Sequence, residues 1–396
     1  MTICVLIRST TFHNKSGGLE TQNKTLCEGL AKKGHKVVVI STSTLTPFKG
    51  GEVEEEGVKY VFVNSPSGIY SNKWWEESKK KFKELNLKYK FDVVISQSSG
   101  GKTVFREKTV FKKIVISHGT ALGELKTRVN SIKSLRNIAR IVLKDVPMVV
   151  NGYYDDLLVF RNADKIVCVS TLLAKNLARE YPFVGKKIVV IDNGVDEGKF
   201  KVQTRIGKKV QNFKKDDTKE SFVLLYVGRI VEEKGIGELL EAVALVRKEV
   251  ENIFLYVVGG GKDLDKFKNL TKELKIEDVV NYVGEVGNRE VVNYYNKADI
   301  FVYPSLRQEG FPMVLAESMF SGVPIIASYI GGIPSAVENN KTGVLVSPKN
   351  VSALVSAIKN LYVNPSLRKS ISENAKRKAL NNYSQEAMVS KYLKLM

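Results

Sequence analysis

FVLLYVGRIVEEKG, residues 222–235, decides the fold class. Its first six residues are apolar without alternation, which fits a strand covered on both faces rather than one half exposed to water. Gly228 ends the run, and a helix-length stretch separates it from the next one, IFLYVVG (253–259). VVNYVG (279–284), DIFVYPS (299–305) and PIIAS (324–328) continue the series. Upstream, the same alternation starts at ICVLI (3–7), passes through a helix from about Leu19 to Lys33, and returns at VVVI (37–40). DVVIS (92–96), KIVIS (113–117), KIVCVS (165–170) and KIVVI (187–191) follow. Such strands, alternating with helices, predict an α/β chain with parallel sheets. Two series predict two doubly wound domains, each with ligand sites at the carboxyl ends of its strands.

The divider is 198–220, GKFKVQTRIGKKVQNFKKDDTKE, which is charged and poor in apolar periodicity. It leaves an N-terminal domain over 1–197 and a second domain over 221–375. After Pro365 the chain reads as helical to its end. Helices over 376–396 either stay with the second domain or pack back on the first.

Composition narrows the class. With 43% of 396 residues hydrophobic, the chain is not mainly disordered. Lys and Arg outnumber Asp and Glu by 62 to 42, a net charge of +20. That excess suits polyanions, anionic membrane surfaces or phosphorylated substrates, and equally a lysine-rich solvated surface. Cys4, Cys27 and Cys168 stand far apart inside apolar runs and read as buried thiols of a reduced compartment. No apolar run reaches about 18 residues, and MTICVLIRS reads as a strand rather than a signal peptide. The expected location is cytoplasmic, either free or against the inner membrane surface.

Glycines and charges cluster where the strands end. Gly17 and Gly18 precede the first long helix, where free N–H groups and the helix dipole favour phosphate. An ordinary strand-to-helix loop would look the same. In GRIVEEKG (228–235), Arg229 and Lys234 offer forked donors and a point charge suited to a diphosphate. SLRQEGFPMVLAE (305–317) places Glu309 in a loop and Glu317 in the helix that follows, with Gly310 and Pro312 at its entry. Carboxylates there can accept hydrogen bonds from sugar or ribose hydroxyls. His118 closes KIVISHGT at a strand end, where it either contacts substrate or is a hydrogen-bonded structural side chain. Asp263 and Asp265 spell a DxD triplet, but at a helix start the first reads as an N-cap. No HExxH, Cys/His cluster or GxSxG is present, so metallohydrolase and serine-hydrolase chemistry have no support.

As an ordered set these segments resemble the GT-B glycosyltransferases, specifically retaining family 4, glycosyl transferases group 1. SGGLE, GLAKKGHKVVVI, the strand-end His118, ADKIVCVS and IDNGVD carry the resemblance in the first half. GRIVEEKG, VVGGGK, YVGEV, YYNKADIFVYPS and EGFPMVLAESMFSGVPIIAS carry it in the second. The resemblance implies two Rossmann-like domains facing each other across a deep cleft, the first on the acceptor side and the second holding a nucleotide-sugar donor. It implies that Arg229 and Lys234 bind the nucleotide diphosphate and that Glu317 binds the ribose. Glu309, Gly310, Phe311, Pro312 and Met313 would hold the donor sugar and phosphates. Gly17 and Gly18 would approach the phosphates, His118 the transferred hexose, and Val286 would line the base. It further implies retaining, metal-independent transfer of a hexose, UDP-linked by family frequency, to a glycan, lipid or small-molecule hydroxyl. No cofactor and no metal is expected. Pro312 stands where the family commonly has Gly, so no N–H contact is available there.

Two basic segments lie in the first half. ELKTRVNSIKSLRNIARIVLKDV (124–146) and Trp74-Trp75 followed by KKKFKELNLKYK read either as core-facing helices with solvated lysines or as helices lying on anionic lipid. The competing enzyme reading is a nucleotide-sugar epimerase or hydrolase of the same architecture, which would turn over donor without acceptor. Nucleic acid is not expected as a partner, because no RNP-like, KH or zinc-finger pattern accompanies the charge.

Overall fold

The computed structural model describes residues 1–13, 17–44, 51–107, 110–123, 125, 146–201, 221–287 and 290–396. The charged divider from residue 202 onward lies outside these, as does the basic segment 124–146 except for Leu125 and Val146. The chain forms two compact units. Met1–Val195 joins Tyr383–Met396 in the first, and Asp196–Asn382 makes the second.

In the first unit the chain runs β1 (Thr2–Leu6), α1 (Gly18–Lys32), β2 (Lys36–Thr42), β3 (Gly51–Glu55), β4 (Val58–Val63) and α2 (Asn72–Tyr89). It continues through β5 (Val93–Gln97), β6 (Lys112–Ser117), α3 (Val146–Asn162), β7 (Lys165–Cys168), α4 (Thr171–Glu180) and β8 (Ile188–Val190). The sheet order is β3-β4-β2-β1-β5-β6-β7-β8. All pairings are parallel except β3 with β4. That edge hairpin is absent from the strand series read above. Its turn, Glu56-Gly57, has φ of 49° and 74°, and glycine takes up the second of these without a Cβ penalty. Central strands are buried along most of their length, Ile3 to Leu6 of β1 at 0% exposure, as their apolar pattern requires. Each such Val, Leu or Ile contributes about 1.5–3 kcal/mol by leaving water.

The second unit runs α5 (Gly198–Lys201), β9 (Phe222–Val227), α6 (Ile236–Val246), β10 (Ile253–Val258), α7 (Leu264–Glu273), β11 (Val280–Gly284) and α8 (Val291–Tyr295). Then come β12 (Ile300–Tyr303), α9 (Met313–Ser321), β13 (Ile325–Ser328), α10 (Ile333–Ala336), β14 (Val344–Val346), α11 (Val351–Val363) and α12 (Pro365–Asn382). Its sheet is parallel throughout, in the order β11-β10-β9-β12-β13-β14. The last helix, α13 (Gln385–Leu395), belongs to the first unit and packs on α1. There Gln385 Nε2 donates to the Thr25 carbonyl at 2.7 Å, and Lys33 pairs with Glu386 at 2.8 Å.

Strand order reverses between β1 and β5 in one sheet and between β9 and β12 in the other. Loops leaving the carboxyl ends of such strand pairs diverge and leave a crevice. Every candidate side chain from the sequence except Val286, which follows the edge strand β11, follows a strand of this kind or its neighbour.

Of the two readings of the basic segment in α2, the core-facing one describes its tryptophans. Trp74 is 0% exposed and Trp75 9%, so neither can enter a bilayer. Trp74 Nε1 donates to the Gly100 carbonyl at 3.2 Å, while Trp75 stacks on Tyr70 with centroids 5.3 Å apart. Core packing claims the rings because they fall on the inward stripe of α2, with Ser78, Phe82 and Leu85. Lys79 pairs with Glu107 and Lys81 with Glu84 along the outside.

Candidate functional site

The second unit brings the predicted cations and one predicted carboxylate together. After β9, Gly228 starts the loop to α6. Lys234 sits in that loop 8% exposed, although lysine is rarely buried unless paired. Its Nζ donates to Glu309 Oε1 at 2.5 Å and to Tyr303 Oη at 2.7 Å. Glu309 comes from the loop after β12. Its Oε1 also accepts from Tyr303 Oη at 3.1 Å and Ser305 Oγ at 3.0 Å. All of these bonds fall on Oε1; among the described residues Oε2 receives none. Burial works to raise the Glu309 pKa. The Lys234 charge and hydrogen bond, with Arg307 and Ser305, outweigh it, so the carboxyl is held below its ordinary value. Tyr303 moves the other way, well above the phenol range, through burial and the adjacent Glu309.

Backbone contacts lock the two loops. Gly235 has φ of +73°, and a Cβ there would lie 1.9 Å from the Pro304 carbonyl oxygen. Gly331, at φ +58°, backs onto Glu309, where a Cβ would meet its N at 2.5 Å and its O at 2.6 Å. Gly332 N–H donates to the Glu309 carbonyl at 2.6 Å. Glycine is therefore required at 235 and 331 both for φ and for space.

Arg229 stands at the rim with its side chain 61% exposed, and Glu233 is 3.7 Å away. The same Glu233 oxygen pairs with Arg307 at 2.9 Å. Two guanidiniums thus share one carboxylate beside the Lys234–Glu309 pair. Pro312 is the N-cap of α9, followed by buried Met313, and Phe311 is 7% exposed. Glu317 lies one turn into α9, which begins at Met313. It accepts from Tyr295 Oη at 3.2 Å. Burial raises its pKa against the lowering effects of Tyr295 and Lys199. Gly310 is half-buried between Glu309 and Phe311, and Val286 is half-buried in the loop after β11. Asp263 is the N-cap residue of α7, yet its carboxylate accepts from the Glu232 backbone N–H at 2.9 Å instead of capping its own helix. It braces the GRIVEEKG loop.

In the first unit, Gly17 is the N-cap of α1 and its N–H is taken by the Glu20 carboxylate at 2.8 Å; Gly18 opens the helix. His118 follows β6. Its Nε2 lies 2.7 Å from Gln97 Oε1, and Gln97 Nε2 donates in turn to Gln22 Oε1 and Asn23 Oδ1. Burial, aided by the Arg8 charge, pushes the His118 pKa down to about 4, so the ring is neutral at ordinary pH. His13 is a structural histidine, 7% exposed between Thr10 and Thr42. Burial raises all three thiols, Cys168 to about 12, in keeping with inert core cysteines.

Tyr303, Ser305, Arg307, Glu233, Gly331 and Gln97 are site residues that reading of the sequence did not single out. Each follows or closes a strand, which was the available signal: DIFVYPS holds Tyr303 and Ser305, and PIIAS runs into Tyr329-Ile330-Gly331-Gly332. Among the described residues no group of three His, Cys, Asp or Glu side chains could hold a metal ion.

Two family models match the chain: Glycosyltransferase Family 4 over residues 16–199 and Glycosyl transferases group 1 over 208–378. An uncharacterized glycosyltransferase of Methanocaldococcus jannaschii is 26% identical over 96% of this chain and 94% of its own. Sucrose-phosphate synthase from Thermosynechococcus elongatus superposes with a TM-score of 0.80 at 20% identity, covering 100% of this chain and 98% of that one. HepE of Anabaena, solved in complex with UDP-glucose, gives 0.73 at 16% identity with both chains fully covered. These structures share the two-domain GT-B fold.

Proposed function

Starting from the chain's membership of the family 4, group 1 glycosyltransferases, we propose that it moves a hexose from a nucleotide diphosphate sugar, UDP-linked, to a hydroxyl of a glycan, lipid or small molecule, with retention and without a metal. The observation that carries this reading is the buried Lys234–Glu309–Tyr303–Ser305 cluster, with Arg229 and Arg307 beside it, at the strand-order reversal of the second sheet. Diphosphate oxygens need several fixed donors, and those cations with the α9 N-terminus supply them. As the sugar–phosphate bond breaks, negative charge grows on the leaving diphosphate. Arg229 and Lys234 are placed to stabilise it, as a divalent ion does elsewhere. Glu309, fully ionised and bonded on one oxygen, leaves Oε2 for a sugar hydroxyl. Glu317 accepts from the ribose hydroxyls. His118, Gly17 and Gly18 serve the hexose and phosphates from the first unit, and Val286 lines the base.

No side-chain nucleophile is assigned. A diphosphate oxygen takes the acceptor proton on the face from which it departs. The UDP preference draws support from the UDP-glucose complex of HepE. Contact with an anionic bilayer would rest on the α2 lysines without the tryptophans, and vesicle flotation would then fade with salt. Calorimetric titration with UDP-, GDP- and ADP-glucose in the presence of EDTA tests the donor reading. Micromolar binding of one of them supports it, and binding of none refutes it.

A further inference from the structure

The three-way hydrogen bonding of Gln97 has a consequence for His118. Gln97 closes β5 beside Ile116 of β6, is 0% exposed, and is tethered through its carbonyl by Tyr70 Oη at 2.7 Å. Its amide nitrogen has two hydrogens. They go to Gln22 Oε1 at 3.2 Å and Asn23 Oδ1 at 3.0 Å, both buried on α1. The amide oxygen is what faces the imidazole, at 2.7 Å. An amide oxygen only accepts, so His118 Nε2 must carry a proton. In a neutral ring Nδ1 is then bare, and among the described residues it has no hydrogen-bond partner.

We propose that Gln97 is a positioning residue that holds His118 in the neutral Nε2–H tautomer and so presents Nδ1 as an acceptor to a hydroxyl of the transferred sugar. The proposal rests on the reading above that His118 meets the hexose. It adds a substrate class: a bare nitrogen receives the O–H of a neutral hexose and repels the carboxylate of a uronate. The charged group acting on the ring is Arg8, beyond β1, which opposes a second proton. Asp156 on α3, Glu180 on α4 and Glu20 on α1 are the acids of the neighbouring elements that act on Tyr70 or Tyr181 instead.

Only three histidines are present, so nitrogen NMR of the full chain labelled with ¹⁵N-histidine gives three resolvable rings, assigned with His13→Gln and His35→Gln. The expected His118 signals are a protonated Nε2 and a bare Nδ1, unchanged from pH 8 to 5.5. A protonated Nδ1, or titration near the ordinary imidazole value, overturns the proposal. In Gln97→Glu, a carboxylate replaces the amide with little change of shape and should raise the His118 pKa by about two units or more. The ring then titrates within the measured range; no movement overturns the assignment. Addition of UDP-glucose should shift Nδ1, whereas UDP should not. If both ligands bind and neither moves Nδ1, the hexose reading of His118 fails while the tautomer data stand, so the two failures are separable. In sugar transfer, Gln97→Met should lower kcat by about three- to tenfold, the worth of one neutral hydrogen bond, with little change in donor KM. Gln97→Glu should in addition show a kcat that climbs with pH as the new imidazolium loses its proton. Flat pH profiles in both variants would overturn the positioning role.

Discussion

Replacing Lys234 by Met isolates the electrostatics of the candidate donor site. Side-chain exposure at the pair is 10% for Lys234 and 14% for Glu309, so solvent does little to screen either charge. Methionine keeps most of the apolar stem but removes the ammonium, leaving Glu309 buried with two hydroxyl donors and Arg307. Removing one partner of a buried pair costs about 3–5 kcal/mol, because the other charge stays desolvated. For a unit of this size 1 kcal/mol moves the midpoint by roughly 2–4 °C, so a loss of about 6–20 °C is expected at pH 8. In the wild type, Glu309 has a lowered pKa in the fold. Its contribution is therefore present above the unfolded value of 4.5 and is lost as pH falls through the folded one. In Lys234→Met the sign inverts. Burial is now unopposed, the folded pKa rises above 4.5, and protonation on acidification relieves the strain.

The gap between wild type and variant should therefore narrow between pH 8 and pH 5. Adding Glu309→Leu to Lys234→Met should recover most of the loss, since a buried pair exchanged for apolar groups is often neutral. Scanning calorimetry at both pH values, following the transition of the second unit, reads all three. A loss under 1 kcal/mol that does not depend on pH would refute the pairing. So would a double variant as unstable as the sum of its singles.

Arg229→Ala should leave the midpoint within about 0.5 kcal/mol of wild type, since the side chain is 61% exposed. It should weaken UDP binding roughly 10- to 150-fold, the worth of a charge-assisted hydrogen bond, as read by titration calorimetry. Gly235→Ala should destabilise by well over 1 kcal/mol, through both positive φ and a Cβ 1.9 Å from the Pro304 oxygen, as a urea midpoint will register. Asp156 is raised to about 8 by burial and by Asp155 and Glu180, so the fold binds a proton the unfolded chain does not. Stability should fall as pH rises from 5 toward 8.5, by at most about 1.4 kcal/mol per pH unit, and Asp156→Asn should flatten that slope in denaturant titrations.

Strand positions were legible because burial on both faces leaves a signature few other patterns share: FVLLYVG and IFLYVVG could hardly be anything else. Strand β3 escaped because GEVEEEG is mostly glutamate, whereas β4, VKYVFV, carries an apolar pattern that the strand series omits. The Glu56-Gly57 turn and Lys59 reaching Glu52 help fix its pairing with β4, whose Val58, Tyr60, Val61, Phe62 and Val63 are buried. Lys234 and Glu309 were legible as types at strand ends. That they would be each other's partner was not, because residues 75 positions apart meet only through the β9–β12 adjacency. The tryptophans of α2 left two readings open for a related reason. Beside a lysine run they look like an interfacial anchor, and only the helix phase, with Phe82 and Leu85 on the same stripe, turns them inward.

The net charge of +20 invites the inference that the excess itself recruits an anionic donor. The site argues otherwise. Its three cations, Arg229, Lys234 and Arg307, are matched against Glu233 and Glu309, so the local surplus is a single charge. Such an arrangement can exist without a ligand at modest electrostatic penalty, because every buried cation already has a carboxylate. It can also accept a diphosphate by exchange. Were phosphate oxygens to take up the guanidiniums, Glu233 would be released toward solvent, where it is already 30% exposed. Lys234 and Glu309 are too deeply placed to separate so easily. Selectivity for the donor would thus come from donor geometry fixed by the two locked loops. The surplus of lysines elsewhere governs salt dependence and encounter. Raising ionic strength should accordingly slow association far more than it weakens the bound complex, and the reverse pattern in stopped-flow binding would place the dominant charge outside this site.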